Sequence, residues 1–206
     1  SGLVGSEMCI RDRMYGAAGA YQIANSLRFR SSASAYLSRT PASAGNLTTW
    51  TWSAWVKRGS LGIGAMFSSF NVSASTNALL VFSSSDNIEF YNWDGSTYPM
   101  DLSTASVFRD PSAWYHIVLA FDTTQATSTN RVKLYVNGVQ FQFNGSNTTF
   151  PPQNLTTTFN AAVPQYSGIA RSYSGGGFVY PFDGYMAEVN FIDGQALTPS
   201  SFGETD

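Results

Sequence analysis

The sequence predicts an all-β chain, an antiparallel two-sheet β-sandwich, and three observations carry that expectation. Aromatic residues make up 15 % of the chain and charged residues only 12 %, with Ser, Thr, Asn and Gly filling much of the remainder. That charged share is about half the usual one, and the balance suits many short strands joined by polar turns. Apolar residues also alternate with period two, in runs separated by turn clusters at roughly 8–12-residue spacing. Finally, Ala113–Asp122 (AWYHIVLAFD) and Arg131–Val139 (RVKLYVNGV) read as adjacent antiparallel strands. The Asn137-Gly138 pair turns the second of them straight back into Val139–Asn144, VQFQFN.

Taken in order, Ser26–Phe29 (SLRF) and Ala35–Arg39 (AYLSR) are short strands joined by a Ser/Ala turn, and Pro41–Gly45 closes the unit. Thr49–Lys57 (TWTWSAWVK) is the clearest strand. Its alternation sends Trp50, Trp52, Ala54 and Val56 to the core and leaves Trp55 on the outer face, where its burial needs a separate cause. Ala65–Phe70, Ala78–Ser83 and Ile88–Trp93 follow as a meander, the last strand ending at Asp94-Gly95. Asp110-Pro111 opens a turn before the Trp114 strand. Both faces of that strand are largely apolar, so it is expected to be central and covered on both sides. Asn144–Thr158, with Pro151-Pro152, reads as a long loop, Tyr166–Arg171 as a short strand and Gly175–Gly177 as a flexible tip. Phe182–Ile192 is the last strong strand, with Tyr185, Ala187, Val189 and Phe191 alternating against Met186, Glu188 and Asn190. Thr198-Pro199 then offers an N-cap with proline in the first helical position, so Pro199–Phe202 is expected to form one helical turn.

Residues Leu3–Arg13 (LVGSEMCIRDR) match one reading frame of a common sequencing-library adapter without a mismatch. They lack the apolar run of a signal peptide. Residues 1–13 are therefore expected to be non-native, 14–25 a lead-in, 26–197 the domain, and 198–206 a turn and tail cut short. Cys9, the only cysteine, goes with the first segment. The native domain would then have no disulfide, thiolate metal site or cysteine nucleophile. A formal net charge of −2 argues against a nucleic-acid partner, which calls for a basic patch. No apolar run approaches the roughly 18 residues of a membrane span, so no membrane insertion is expected.

The motifs SLRF, TWSAWVK, WYHIVLAFD, VKLYVNG and FDGYMAEVNFIDGQALTP, in that order, resemble the laminin-G-like branch of the concanavalin A-like lectin/glucanase superfamily. The resemblance covers most of Ser26–Leu197. It implies a jelly roll in which the last strand pairs beside the first, Tyr185–Phe191 against Ser26–Phe29. Members are mostly binding modules and sometimes glycosidases. Within the family, SLRF…AYLSRTP, FRDPSAWYHIV and AEVNFIDGQALTPS are similar to a group of bacteriophage structural and tail-associated proteins. That resemblance implies a virion or extracellular location. The partners it implies are host-surface glycan or virion proteins, with any oligomer formed through a parent assembly.

A retaining glycosidase needs two carboxylates about 5–5.5 Å apart. No expected strand carries acids at i, i+2 or i+4: Asp86 and Glu89 are three apart, Asp183 and Glu188 five apart, and Glu204 and Asp206 sit in the tail. The chain is therefore expected to be non-enzymatic, with no catalytic residue. His116, the single histidine, has no second histidine or native cysteine for a triad or zinc site and reads as a strand residue. Glu188 reads as a turn or strand-pairing acceptor. Calcium is implied by the laminin-G and pentraxin resemblance, and Asp94, Asp101 and Asp110 are its loop candidates, although isolated loop aspartates usually make turns. Sugars dock their apolar faces on aromatic rings while a few polar groups fix orientation. Tyr91, Trp93 and Tyr98 flank Asn92 and Asp94 in one strand-loop unit, and Tyr166, Tyr173 and Tyr180 decorate the glycine-rich loop. Carbohydrate binding is thus expected at Tyr91, Asn92, Trp93, Asp94, Tyr98 and Tyr173, strengthened by many copies. Two alternatives stand beside it: Tyr91 and Trp93 are plain core aromatics, or the domain is purely structural or adhesive.

Overall fold

The computed structural model describes residues 25–171 and 177–203; the expectations for residues 1–24, for Tyr173, and for Glu204 and Asp206 lie outside them. In chain order the first strands are β1 (Leu27–Phe29), β2 (Leu37–Arg39), β3 (Thr49–Arg58), β4 (Gly64–Asn71), β5 (Thr76–Phe82), β6 (Asn87–Trp93) and β7 (Met100–Val107). They continue with β8 (Tyr115–Asp122), β9 (Val132–Val136), β10 (Val139–Phe141) and β11 (Thr148–Thr149). The last are β12 (Gln165–Ser167), β13 (Ala170–Arg171), β14 (Phe178–Val179) and β15 (Gly184–Asp193). Strand β7 is absent from the sequence reading, which placed its Asp101 in a loop.

Two antiparallel sheets face each other, one ordered β1-β15-β3-β8-β9-β10 and the other β11-β7-β6-β5-β4-β12-β2. The Ser31–Ala33 turn carries the chain from the first sheet to the second. Strand β15 pairs with β1, Leu27 opposite Met186, as the family resemblance implies. Asn137 (φ 50°) and Gly138 (φ 77°) both adopt the left-handed conformation of the tight β9–β10 hairpin, which is why Asn-Gly stands there. All strands at the sheet edges, β1, β10, β11 and β2, are two or three residues long, which limits edge-to-edge pairing.

Between the sheets, period-two alternation delivers large apolar side chains from both layers. Trp50, Trp52, Ala54 and Val56 of β3 are fully buried, as expected from their spacing. Trp50 stacks on Phe121 at 4.7 Å and on Phe191 at 5.4 Å within its own sheet. Across the gap it meets Phe90 edge-on at 5.9 Å, and Phe159 of the long loop at 5.4 Å. The loop is held by buried Arg131, whose guanidinium donates to the carbonyls of Gln125, Ala126 and Pro151. Strand β8 is central, and its second face is covered too: Val118 and His116 are buried, and Phe202 of the C-terminal turn lies edge-on to the His116 ring.

The last strand departs from simple alternation. The register between β15 and β3 shifts between Ala187 and Asn190, and Glu188 there has φ 50°. This β-bulge inserts one residue and inverts the phase. Met186 before it and Phe191 after it therefore both pack on the core, while Tyr185 and Val189 are exposed. The C-terminal helical turn forms at Pro199–Ser201, but the Thr198 side chain makes no capping bond.

Arg58, 2 % exposed, is held by Asp86 Oδ1 at 2.9 Å and by the carbonyls of Phe108 and Gly62. Asp86→Ala strands that guanidinium and is expected to cost about 3–5 kcal/mol in urea unfolding. Trp50→Ala opens a cavity at the centre and is expected to cost about 3–5 kcal/mol in the same assay. Trp50→Phe is expected to cost clearly less, because the Trp50 Nε1 has no hydrogen-bond partner to lose. Equal losses for the two Trp50 variants would contradict this packing.

Candidate functional site

The alternation that fills the core also fixes what points outward. On β6, Ile88 and Phe90 are core residues, so Glu89, Tyr91 and Trp93 project from the outer face of the seven-stranded sheet. On β7, Met100 and Leu102 are core residues, so Asp101 and Ser103 project outward beside them. The register sets Tyr91 opposite Asp101 and Glu89 opposite Ser103. Tyr98 reaches the same patch through a turn built by Asp94. Its Oδ1 accepts the backbone N–H groups of Ser96 at 2.8 Å and Thr97 at 2.7 Å, and Gly95 takes φ 100°. The chain thereby folds back, and the Tyr98 ring lies 4.8 Å from Trp93 and 5.8 Å from Tyr91. Tyr98 is 42 % exposed, while Tyr91 and Trp93 are half-buried. The short β13–β14 pair covers the neighbouring part of this face, with Ala170 and Val179 packed against Ala65, Leu79 and Val81.

The electrostatics of the patch follow from its partial burial. The Tyr91 phenol is pushed well above its ordinary range by burial, with the nearby phenols and carboxyls of Tyr180, Tyr98, Glu89 and Asp101 adding to it. Burial raises the Glu89 carboxyl, and the negative charge of Asp101 raises it further. Burial also raises Asp101, whose Oδ1 is enclosed without a hydrogen-bond donor. Asp94 behaves oppositely: the Thr97 and Ser96 N–H groups hold its carboxyl down at about 2.

The structure thus assembles Tyr91, Trp93 and Tyr98, with Asp94 shaping the turn rather than facing the rings. Asn92 does not belong with them. It is 4 % exposed and sits opposite Ala78 and Met100 on the inward side of β6, because its odd-numbered neighbours occupy the outer face. Tyr166 is likewise a core residue, packed with Phe70 and Ile169. Glu89 and Asp101 are neighbours only through the β6–β7 register, which the expectation of a loop at Asp101 does not contain. The signal was present: Met100, Leu102 and Thr104 alternate with Asp101, Ser103 and Ala105, the period of a strand.

The calcium set does not fit. Asp94 spends its oxygens on its own turn, Asp110 accepts the Ser112 N–H at 2.8 Å and Ser112 Oγ at 2.6 Å, and Asp101 lies within β7. Among the described residues no group of three or more His, Cys, Asp or Glu side chains could hold a metal ion. His116 is equally distant from acid–base chemistry. Its Nε2 lies 3.1 Å from Ser53 Oγ, and its ring stacks on Trp55 at 4.8 Å, so Trp55 is half-buried on the outer face of β3. Glu188 marks the bulge of β15, its carbonyl accepting the Asn190 side-chain amide at 2.8 Å.

Two facing antiparallel sheets define a β-sandwich of the jelly-roll type. The chain belongs to the family described as the concanavalin A-like lectin/glucanases superfamily, whose laminin-G model matches residues 31–201. No curated protein matches its sequence at a significant level. Among solved structures it is similar to domains LG4-5 of the mouse laminin alpha1 chain, at 14 % identity and a TM-score of 0.61, covering 85 % of this chain and 44 % of that one. It is also similar to domain 4 of the extracellular arabinanase AbnA from Geobacillus stearothermophilus, in complex with arabinotriose. There the identity is 22 % and the TM-score 0.54, with 76 % of this chain and 66 % of that one covered. A third likeness is the CBM40 of the Ruminococcus gnavus IT-sialidase bound to alpha2,3 sialyllactose. Here the identity is 16 % and the TM-score 0.52, with 81 % of this chain and 96 % of that one covered. The chain spans less than half of the laminin pair. At these identities the likenesses establish the fold.

Burial lowers the His116 pKa below the ordinary 6.5, so the folded chain favours the neutral ring. The unfolded chain takes up the proton first as pH falls, and stability is lost below that ordinary value. The thermal midpoint is expected to drop between about pH 7.5 and pH 5.5 more steeply in the parent than in His116→Asn. Parallel slopes would contradict a buried neutral imidazole.

Proposed function

We propose that the chain is a non-catalytic carbohydrate-binding module, carried outside cells or on a virus particle, where it contacts host-surface glycan. One observation carries the reading. Tyr91, Trp93 and Tyr98 gather on the outward face of the seven-stranded sheet beside two carboxyls, with Tyr98 42 % exposed. A pyranose presents an apolar C–H face to such rings, while its hydroxyls donate to Glu89 and Asp101. The family and the sugar-bound neighbours support the same reading. The bacteriophage setting rests on the wording of the SLRF, FRDPSAWYHIV and AEVNFIDGQALTPS segments. Among the described residues no helix is long and apolar enough to cross a membrane, and aromatic stacking on an open face is weak per copy. Function would then depend on many copies in a parent assembly.

The Glu89–Asp101 pair favours a second reading, glycoside hydrolysis. Such an enzyme needs environments that split its carboxyls into an acid and a base. Here the two share one face, burial pushes both in the same direction, and among the described residues no lysine or arginine forms an ion pair with either. The binding reading is therefore preferred.

The full chain displayed in many copies on a glycan array is expected to bind a defined set of oligosaccharides and to release no reducing sugar from them. Tyr98→Ala is expected to weaken the array signal by about tenfold while leaving the thermal midpoint near its parent value. An empty array would overturn the proposal in favour of a structural or adhesive domain. Sugar release abolished by Glu89→Gln would establish the hydrolase.

A further inference from the structure

We propose that the domain has a second, separate binding site, a cleft that takes a neutral, hydroxyl-rich sugar residue between Arg39 and Asp193. Where β2, the segment 41–45, β12 and the end of β15 meet, the structure forms an open cleft of about 640 Å³. That volume lies within the range of small-molecule sites. In the order of the seven-stranded sheet, β12 and β2 lie on the far side of β5 and β4 from β6, so this cleft is distinct from the Tyr91 patch. Its aromatic lining is Phe67 and Phe191, with ring centres 5.7 Å apart, and Leu37, Pro41 and Ala44 add further apolar surface. Phe191 also stacks on Trp50, so this wall is continuous with the core and held rigidly.

The polar wall is equally fixed. Gln165 is 8 % exposed, and its Nε2 donates to the carbonyls of Thr158, Ala161 and Val163. Asn160, at φ 63°, donates from Nδ2 to Asp193 Oδ1 at 2.6 Å and to the Asn46 carbonyl at 3.1 Å. The Asn46 N–H donates to the same Asp193 oxygen at 2.7 Å. This bracket closes over Gly45, where a Cβ would lie 2.4 Å from Asn160 Nδ2 and 2.5 Å from Asp193 Oδ2, so the close approach requires glycine. A site tied down in this way pays little ordering entropy on binding.

Two charged ends in it, both on solvent-exposed residues, have no protein partner across the cleft. Among the described residues Asp193 Oδ2 accepts no hydrogen bond, the Arg39 guanidinium donates none, and no ion pair joins them across the cavity. A sugar hydroxyl both donates and accepts. One hydroxyl can donate to Asp193 Oδ2 and a neighbouring one accept from Arg39, while the C–H face of the ring rests on Phe191. The other polar lining is neutral, with Ser43 and Ser167 among it. A zwitterion could match the two charges alone but would leave those neutral groups unanswered. With the Tyr91 patch, the cleft makes each domain bivalent for a branched or long glycan.

The test is a titration of the ¹⁵N-labelled full chain, followed by its backbone and side-chain amide signals. The probes are the methyl glycosides of glucose, galactose and mannose, and separately leucine, each to millimolar concentration. At least one glycoside is expected to shift the Asn160 and Gln165 side-chain amides, and to do so equally in Trp93→Ala, which alters only the other patch. Its affinity is expected to fall by about tenfold or more in Arg39→Met and in Asp193→Asn, the latter retaining an acceptor for Asn46. The proposal is overturned if no glycoside moves these amides, if leucine moves them instead, or if the shifts persist unchanged in both variants.

Discussion

The stack of rings around Trp50 is the constraint on which the rest of the molecule depends. Trp50 touches Phe121 and Phe191 in its own sheet, Phe90 in the facing sheet, and Phe159 in the long loop. A single side chain therefore sets the spacing of the layers and the position of a segment with little regular structure. The indole N–H of Trp50 goes without a partner there, as does that of Trp52. Shape and buried area prevail over a hydrogen bond that would be worth about 1 kcal/mol. With the inward set fixed, alternation leaves no choice about the outward one.

The proposed function follows from that outward set. The same β6 backbone that turns Phe90 into the stack turns Glu89, Tyr91 and Trp93 toward solvent, and β7 adds Asp101 beside them. Among the described residues no ion pair involves Glu89 or Asp101, and both carboxyls are partly buried, which suits hydroxyl donors better than acidic groups. The opposite sheet is treated differently. The C-terminal turn covers part of its outer face, with Thr51 Oγ1 donating to the Gln195 carbonyl and accepting the Leu197 N–H, and Phe202 against His116. Tyr185 stays exposed elsewhere on that face, so the turn shields one region of it and leaves the rest open.

Much of the fold was legible in the sequence because strand periodicity is strict. The face of β3, the central place of β8, the Asn-Gly hairpin and the pairing of the last strand beside the first all stand in the structure as read. Two failures have a common physical cause. Strand β7 was overlooked because its inward set is short and its outward residues, Asp101, Ser103 and Ala105, resemble a turn in composition. Its omission hid the Glu89–Asp101 pair, since cross-strand neighbours are invisible to spacing along one strand. The bulge at Glu188 was hidden for another reason: nothing in a period-two pattern marks a residue that adopts positive φ. Asn92 was misplaced by grouping residues along a loop instead of by face. The ring cluster itself was found because Asp94-Gly95 is a recognisable turn, and a turn returns Tyr98 to the strand it left.

The most direct measurement of the account is a crystal structure of the chain with the oligosaccharide it binds best in multivalent display. The account predicts a sugar ring lying against Tyr98 and Trp93 on the outer face of the seven-stranded sheet, with hydroxyls directed at Asp101 or Glu89. A sugar seated instead on the six-stranded sheet, over Trp114 and Tyr185, with nothing beside β6, would contradict it.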